Sequence, residues 1–200
     1  MKTVELIKQN FNQSIATKQD ALNIMLEPIA NASLIIVNAF QTGHKMLICG
    51  TGGSAADAQH FAAEFTGRYE MERTPLPAIA LTTDSSALTA IGNDYGFEYV
   101  FSKQVEALGQ AGDILFAIST SGNSANVIKA IEVAQAKQMT IIILVGKDGG
   151  KMAQMLSDND INLCVPATRT ARIQEVHLLT LHSLCDAVDN LMFNNDFCKK

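Results

Sequence analysis

The sequence predicts an α/β protein, a three-layer α/β/α sandwich around a five-stranded parallel sheet, preceded by two N-terminal helices. Three observations carry this expectation. From Lys45 onward, short continuous apolar runs alternate with longer amphipathic stretches, the pattern of strands buried on both faces and joined by helices. Gly- and Ser-rich turns separate the runs, and right-handed crossovers between parallel strands place helices on each side of the sheet. Finally, 200 residues with 48% hydrophobic and 18% charged side chains suffice for one large core, so the chain is read as one domain, 1–200.

Residues 1–43 form the helical segment of that reading and 44–200 its α/β core. Apolar positions at Val4, Ile7, Phe11 and Ile15, then Leu22, Ile24 and Met25, recur at helical spacing, and a second run extends from Ile29 to Phe40. Pro28 is read as opening the second helix, where its missing N–H costs nothing. The five strands are expected at Met46 to Cys49, Ala78 to Leu81, Ile114 to Ile118, Thr140 to Val145 and Ile161 to Val165. A long closing helix follows from Ala171 to Phe193. No linker, low-complexity tract or internal repeat interrupts the series.

Charge and composition exclude several classes. Fifteen Lys and Arg against 20 Asp and Glu leave a net charge of −5, with no basic run beyond Lys199-Lys200, so a nucleic-acid partner is not expected. Apolar stretches such as Ile141 to Val145 fall far short of the roughly 20 residues that span a bilayer. The polar segment from Met1 to Gln13 lacks a signal-peptide core, so a cytoplasmic protein without a membrane partner is expected. Four scattered cysteines, Cys49, Cys164, Cys185 and Cys198, form no C-x-x-C pair and read as reduced, mostly buried thiols.

Ligands of open α/β sheets bind outside the carboxyl ends of the strands. Two turns stand out there: Gly50-Thr51-Gly52-Gly53-Ser54 after the first strand, and Ser119-Thr120-Ser121-Gly122-Asn123-Ser124 after the third. Glycines let backbone approach a ligand, hydroxyls donate, and each loop leads into a helix N-terminus with free N–H groups; together these suit a phosphate. Ordinary helix capping favours the same residues, but four hydroxyls in the second loop go beyond capping. Gly50-x-Gly52-x-x-Ala55 also fits a dinucleotide fingerprint, which needs an acidic residue about 20 positions on; the candidate, Asp84, lies more than 30 beyond Gly50, which leaves nucleotide binding as a minor alternative.

A third constellation is carried by helices. His60 and Glu64 lie four apart on the helix that begins at the glycine loop and so share a face. Gln174 and His182, eight apart on the closing helix, fall on one broad stripe. Together the four could hold a metal through N and O atoms, most plausibly zinc, although an i,i+4 His/Glu pair is more often only hydrogen-bonded. Glu175 and His177 compete for the late positions by rotation alone. Asn93 and Asp94, within Ile91 to Gly96, read as an ordinary Asx turn or as further ligand contacts.

These motifs carry a resemblance. The chain resembles SIS-domain (sugar isomerase) proteins, and within them the phosphoheptose isomerase family, over nearly its whole length. The likeness is densest in Gly50 to Ser54, His60 to Tyr69, Gly92 to Phe97, Ile118 to Val127, Gly146 to Gly150 and Arg172 to His177. It implies a homotetramer with active sites between subunits, and one zinc held by His60, Glu64, Gln174 and His182. It implies a phosphorylated seven-carbon sugar bound by Ser119, Thr120, Ser121 and Ser124, with Thr51, Gly52, Gly53, Glu64, Asn93, Asp94 and Gln174 as further contacts. The implied reaction converts D-sedoheptulose 7-phosphate to D-glycero-D-manno-heptose 7-phosphate on the route to lipopolysaccharide core heptose. Moving a proton from C1 to C2 needs a base and an acid matched to near-neutral pH, and Glu64 is read as the base and His182 as the acid.

The chain departs from the family at Thr51, where Asn is commoner. Thr168 to Arg172 and Leu184-Cys185-Asp186 resemble a sister branch of noncatalytic SIS proteins that bind the replication initiator. That branch lacks both the helix Glu and the late His, and this chain keeps Glu64 and His182.

Overall fold

The computed structural model describes residues 1–194. Five parallel strands, β1 (Met46–Gly50), β2 (Ala78–Ala80), β3 (Ile114–Ser119), β4 (Thr140–Gly146) and β5 (Ile161–Val165), form one sheet in the order β2-β1-β3-β4-β5. All five begin where the apolar runs begin. The register pairs Met46 with Ile114 and Ala78, Ile114 with Thr140, and Ile142 with Ile161.

Strand alternation sorts the apolar side chains into two cores. Met46, Ile48, Ile114, Phe116, Ile118, Ile142 and Leu144 face α1 (Lys2–Gln41), α2 (Gly53–Thr66) and α7 (Thr170–Phe193). Leu47, Cys49, Leu115, Ala117, Ile141, Ile143 and Val145 face the other helical layer. That layer comprises α3 (Ser85–Asp94), α4 (Ser102–Leu108), α5 (Ala125–Ala136) and the short α6 (Gly150–Gln154). Phe61 and Phe65 of α2 are fully buried and stack edgewise, 4.9 Å between centroids, each side chain contributing about 1.5–3 kcal/mol of burial. This is the expected three-layer sandwich.

The N-terminal segment differs from expectation, because the two predicted helices are one. α1 runs unbroken through Pro28. Its buried stripe, Ala21, Met25, Ala32, Ile36 and Phe40, with Ile29 packed partly against the core, keeps helical spacing across the proline. Packing against α7 and β5 thus outweighs the one hydrogen bond that proline forfeits, a penalty of about 3 kcal/mol. α1 also has the length and apolarity of a membrane span, although no continuous apolar run in it reaches that length; its C-terminal half is part of the core.

Polar side chains fasten the ends of the sheet. At the amino end, Asp113 is buried and accepts from the backbone N–H of Lys45 (3.0 Å), from Lys45 Nζ (2.5 Å) and from the N–H of Gln110 (2.9 Å). Burial alone would raise its carboxyl, but these bonds hold it below the usual carboxylate range. Asp84, weighed above as a nucleotide-binding acid, caps α3 by accepting from Ala87 N–H at 2.9 Å. Cys49 and Cys185 are buried free thiols and Cys164 a half-buried one; burial pushes the Cys49 thiol up to about 12. Cys198 lies outside the described residues.

Candidate active site

The strand order reverses between β1 and β3, and the two loops singled out in the sequence leave the sheet side by side at that switch point. Thr51 and Asn126 join them: the Asn126 amide nitrogen lies 3.0 Å from Thr51 Oγ1, and its oxygen 3.2 Å from the same hydroxyl. Gly52 caps α2 with φ +65° and ψ −124°, a conformation that favours glycine. Gly53 opens α2, and a Cβ there would overlap the Gln174 side-chain amide, which places the start of α7 against the start of α2.

In the second loop, Ser119 is buried at the end of β3, and its Oγ is 2.9 Å from that of Ser124, the residue preceding α5. Ser121 Oγ accepts from Asn123 N–H at 3.2 Å, and Thr120 is half-buried beside it. The loop is buttressed from behind: Gly122 accepts from Met152 N–H at 3.0 Å, and Asn123 Oδ1 accepts from Lys151 N–H at 3.1 Å. Gly122, at φ +64°, packs so closely on the Gly149 carbonyl that no side chain fits. Hydroxyls and the α5 N-terminus therefore share one preorganised cradle of the kind that binds phosphate.

Two turns further along α2 stands a separate group. His60 Nε2 and His182 Nε2 are 2.9 Å apart, their rings edge-on with centroids 5.2 Å apart, and Glu64 Oε1 lies 3.5 Å from His60 Nε2. Tyr69 sits against the His182 ring at 5.8 Å. One imidazole donates to the other, with the direction set by their tautomers. His60 is 43% and Glu64 21% exposed in their side chains, leaving the group open to a small molecule.

The remaining candidates separate. Gln174 stays at the Gly53 end, and at 1.5 Å rise per residue the interval to His182 is about 12 Å, so one chain does not bring it to the histidine pair. Glu175 is taken by Arg172, whose Nη2 donates to it at 2.7 Å. His177 is buried, its Nε2 3.1 Å from the Val145 carbonyl, and burial depresses its imidazole to about 4. Neither of these two joins the site. Asn93 and Asp94 are the last two residues of α3, not an Asx turn; Asn93 Nδ2 donates to Asp94 Oδ1 at 2.8 Å, and both are exposed. Among the described residues no hydrogen bond ties them to the histidine pair.

Two imidazole nitrogens turned toward each other beside a carboxylate form an N, N, O set that suits zinc. Among the described residues, however, no three His, Cys, Asp or Glu side chains are already gathered to hold an ion. The donor types fit, and to hold a metal these three side chains would have to draw together.

Three residues that sequence reasoning missed support the site. Asn126 follows the loop in an ordinary Ser-x-Asn helix start, which gives little sign of its contact with Thr51. Arg73 and Asp189 form a buried ion pair with no local signature, 2.8 Å from Nε to Oδ1.

With this geometry in place, comparison with known proteins decides the family. The SIS domain family model matches residues 10–146. The chain belongs to the SIS-domain family. Within it, the phosphoheptose isomerase of Shewanella pealeana is 58% identical over 193 residues, 96% of this chain and 98% of that protein. The solved phosphoheptose isomerase of Neisseria gonorrhoeae superposes with a TM-score of 0.91 at 55% identity, covering 94% of this chain and 99% of that one. That of Francisella tularensis gives 0.93 at 44% identity, covering 95% and 100%. These relatives place the SIS chain in the isomerase branch and not in the noncatalytic one, so it is an isomerase acting on a phosphosugar.

Proposed function

We propose that the chain interconverts D-sedoheptulose 7-phosphate and D-glycero-D-manno-heptose 7-phosphate through an enediol, in the cytoplasm. The observation that carries this reading is that α2 runs from beside the phosphate cradle to the acid–base group. The Thr51–Asn126 contact sets the start of α2 next to the Ser119–Ser124 cradle at the α5 N-terminus, and the Glu64–His60–His182 group begins seven residues on from Gly53, a rise of about 10 Å. A sugar with its phosphate at one end and its carbonyl at the other suits such a span.

In this mechanism Glu64 takes the proton from C1 of the ketose, and the C1–H electron pair forms the C1–C2 double bond of the enediol. Glu64 then returns the proton to C2. The O1–H proton is lost and O2 gains one, an exchange that His182 relays with His60 hydrogen-bonded behind it. Ser119, Thr120, Ser121 and Ser124 hold the phosphate, and binding energy so far from the reacting carbons is available to align C1 and C2. A zinc held by His60, Glu64 and His182 would polarise the carbonyl, and the ring nitrogens it took would then no longer be hydrogen-bonded to each other.

The reading requires Gln174 from a second copy, in keeping with a homotetramer. Val4, Ile7, Phe11, Ile15, Leu22 and Leu26 on α1 are each at least half exposed, an apolar face that assembly would cover. The deciding experiment incubates the purified protein with sedoheptulose 7-phosphate and follows aldose formation by NMR. Turnover is expected; its absence, with and without added zinc, overturns the reading. Light scattering should give four times the 21.5 kDa chain mass, and a monomer would remove the tetramer.

A further inference from the structure

Beyond the groups that touch substrate, the structure contains a buried ion pair joined to the backbone of the proposed base. Arg73 lies in the connection between α2 and β2, with its side chain 1% exposed. Its Nη2 donates to the Glu64 carbonyl at 2.7 Å, and its Nη1 donates to the Phe65 carbonyl at 2.8 Å and the Gly67 carbonyl at 3.2 Å. These are carbonyls that the end of a helix leaves without intrahelical partners. Its Nε donates to Asp189 Oδ1 at 2.8 Å, and Asp189 is 3% exposed. Asp189 lies seven residues beyond His182 on α7, close to the same face. One planar guanidinium therefore ties the last turn of α2, which carries Glu64, to the face of α7 that carries His182.

A lysine could pair with Asp189, but a single ammonium lacks the fork that reaches three carbonyls and a carboxylate together. We propose that Arg73, held by Asp189, is a positioning residue that sets the Glu64 carboxylate against the His60–His182 pair. The proposal rests on the isomerase reading for its kinetic consequence, while its geometric content stands independently.

The test separates the two. In R73M/D189L an apolar pair replaces the buried ions, so that neither charge is left buried alone, while R73K keeps the charge. Kinetics use the zinc-loaded protein with sedoheptulose 7-phosphate, and long-range imidazole 1H–15N spectra read His60 and His182, with buried His177 as internal control. Both variants should fold cooperatively, R73M/D189L with a lowered midpoint because the Glu64, Phe65 and Gly67 carbonyls lose the guanidinium donors. The expected result is a fall in kcat of roughly 10- to 100-fold in R73M/D189L, a smaller fall in R73K and KM within about twofold of wild type. The His60 and His182 signals should shift while His177 stays in place. A folded variant with wild-type kcat and unmoved imidazole signals overturns the proposal, as does a rise in KM alone. If R73M/D189L does not fold, R73K decides by the same criteria. If the wild type itself shows no turnover, the isomerase reading fails, and the imidazole signals alone sustain or overturn the positioning role.

Discussion

The phosphate cradle and the acid–base group are built differently. The cradle is local: Ser119 and Ser124 are five residues apart, and the loop leans on Gly149 and Met152 of the next crossover. The acid–base group is assembled from residues separated by 122 positions, His60 and His182, and the Arg73–Asp189 pair that fastens its helices spans 116. A local cradle depends on backbone conformation, which survives many side-chain changes. A group assembled between helices depends on how those helices are held, so small shifts there act on the chemical step. The two regions should therefore fail in different kinetic parameters.

The largest expected effect breaks the acid–base side. Glu64→Gln should lower kcat by about 10²- to 10⁴-fold, the usual worth of a positioned general base, with KM nearly unchanged. Steady-state kinetics with sedoheptulose 7-phosphate check this, and an active variant would exclude Glu64 as base. His182→Asn should lower kcat by about 10²-fold, because Asn keeps a polar contact with His60 but cannot relay a proton. Wild-type turnover in that variant would remove His182 as the acid.

The contrast also explains what was legible. Strands such as Ile114–Ser119 were readable because burial on both faces leaves an uninterrupted apolar run. The cradle was readable because its residues are contiguous. The His60/Glu64 face was visible from helical spacing, but its meeting with His182 depends on how α2 and α7 pack, which no local pattern encodes. The same limit placed Gln174 with His182 by rotation alone, although rise along the axis keeps them apart. Pro28 misled for a related reason: local chemistry favours a break, and the continuous stripe from Ala21 to Phe40 overrides it. Arg73 showed nothing in sequence, since its meaning lies entirely in which carbonyls it reaches.

His177 sharpens the comparison because it joins the two regions. It sits on α7 yet its Nε2 bonds the Val145 carbonyl, one residue before the end of the strand that leads to the cradle's buttress. Its imidazole titrates near 6.5 when unfolded and near 4 when folded. Above pH 6.5 both states are neutral and its contribution is complete. As pH falls toward 4 the unfolded state takes up a proton that the folded state refuses, and about 3 kcal/mol is lost. Urea unfolding at pH 7.5 and pH 4.5 should show most of this loss in the wild type and not in His177→Gln, which keeps a donor without titrating in this range. Equal pH slopes in the two proteins would remove His177 as the source.

The smallest effect is expected in the cradle. Ser124→Ala deletes one hydroxyl from the pair with Ser119 but leaves the α5 N-terminus, the remaining hydroxyls and the Gly122–Gly149 packing in place. One hydrogen bond to a charged phosphate is worth about 1.5–3 kcal/mol, but neighbouring donors share the load. KM should therefore rise about tenfold while kcat stays within about twofold, the reverse of Glu64→Gln. Should kcat fall instead, the cradle would be shaping the reacting end of the sugar as well as holding its phosphate, and the division of labour along α2 would not hold.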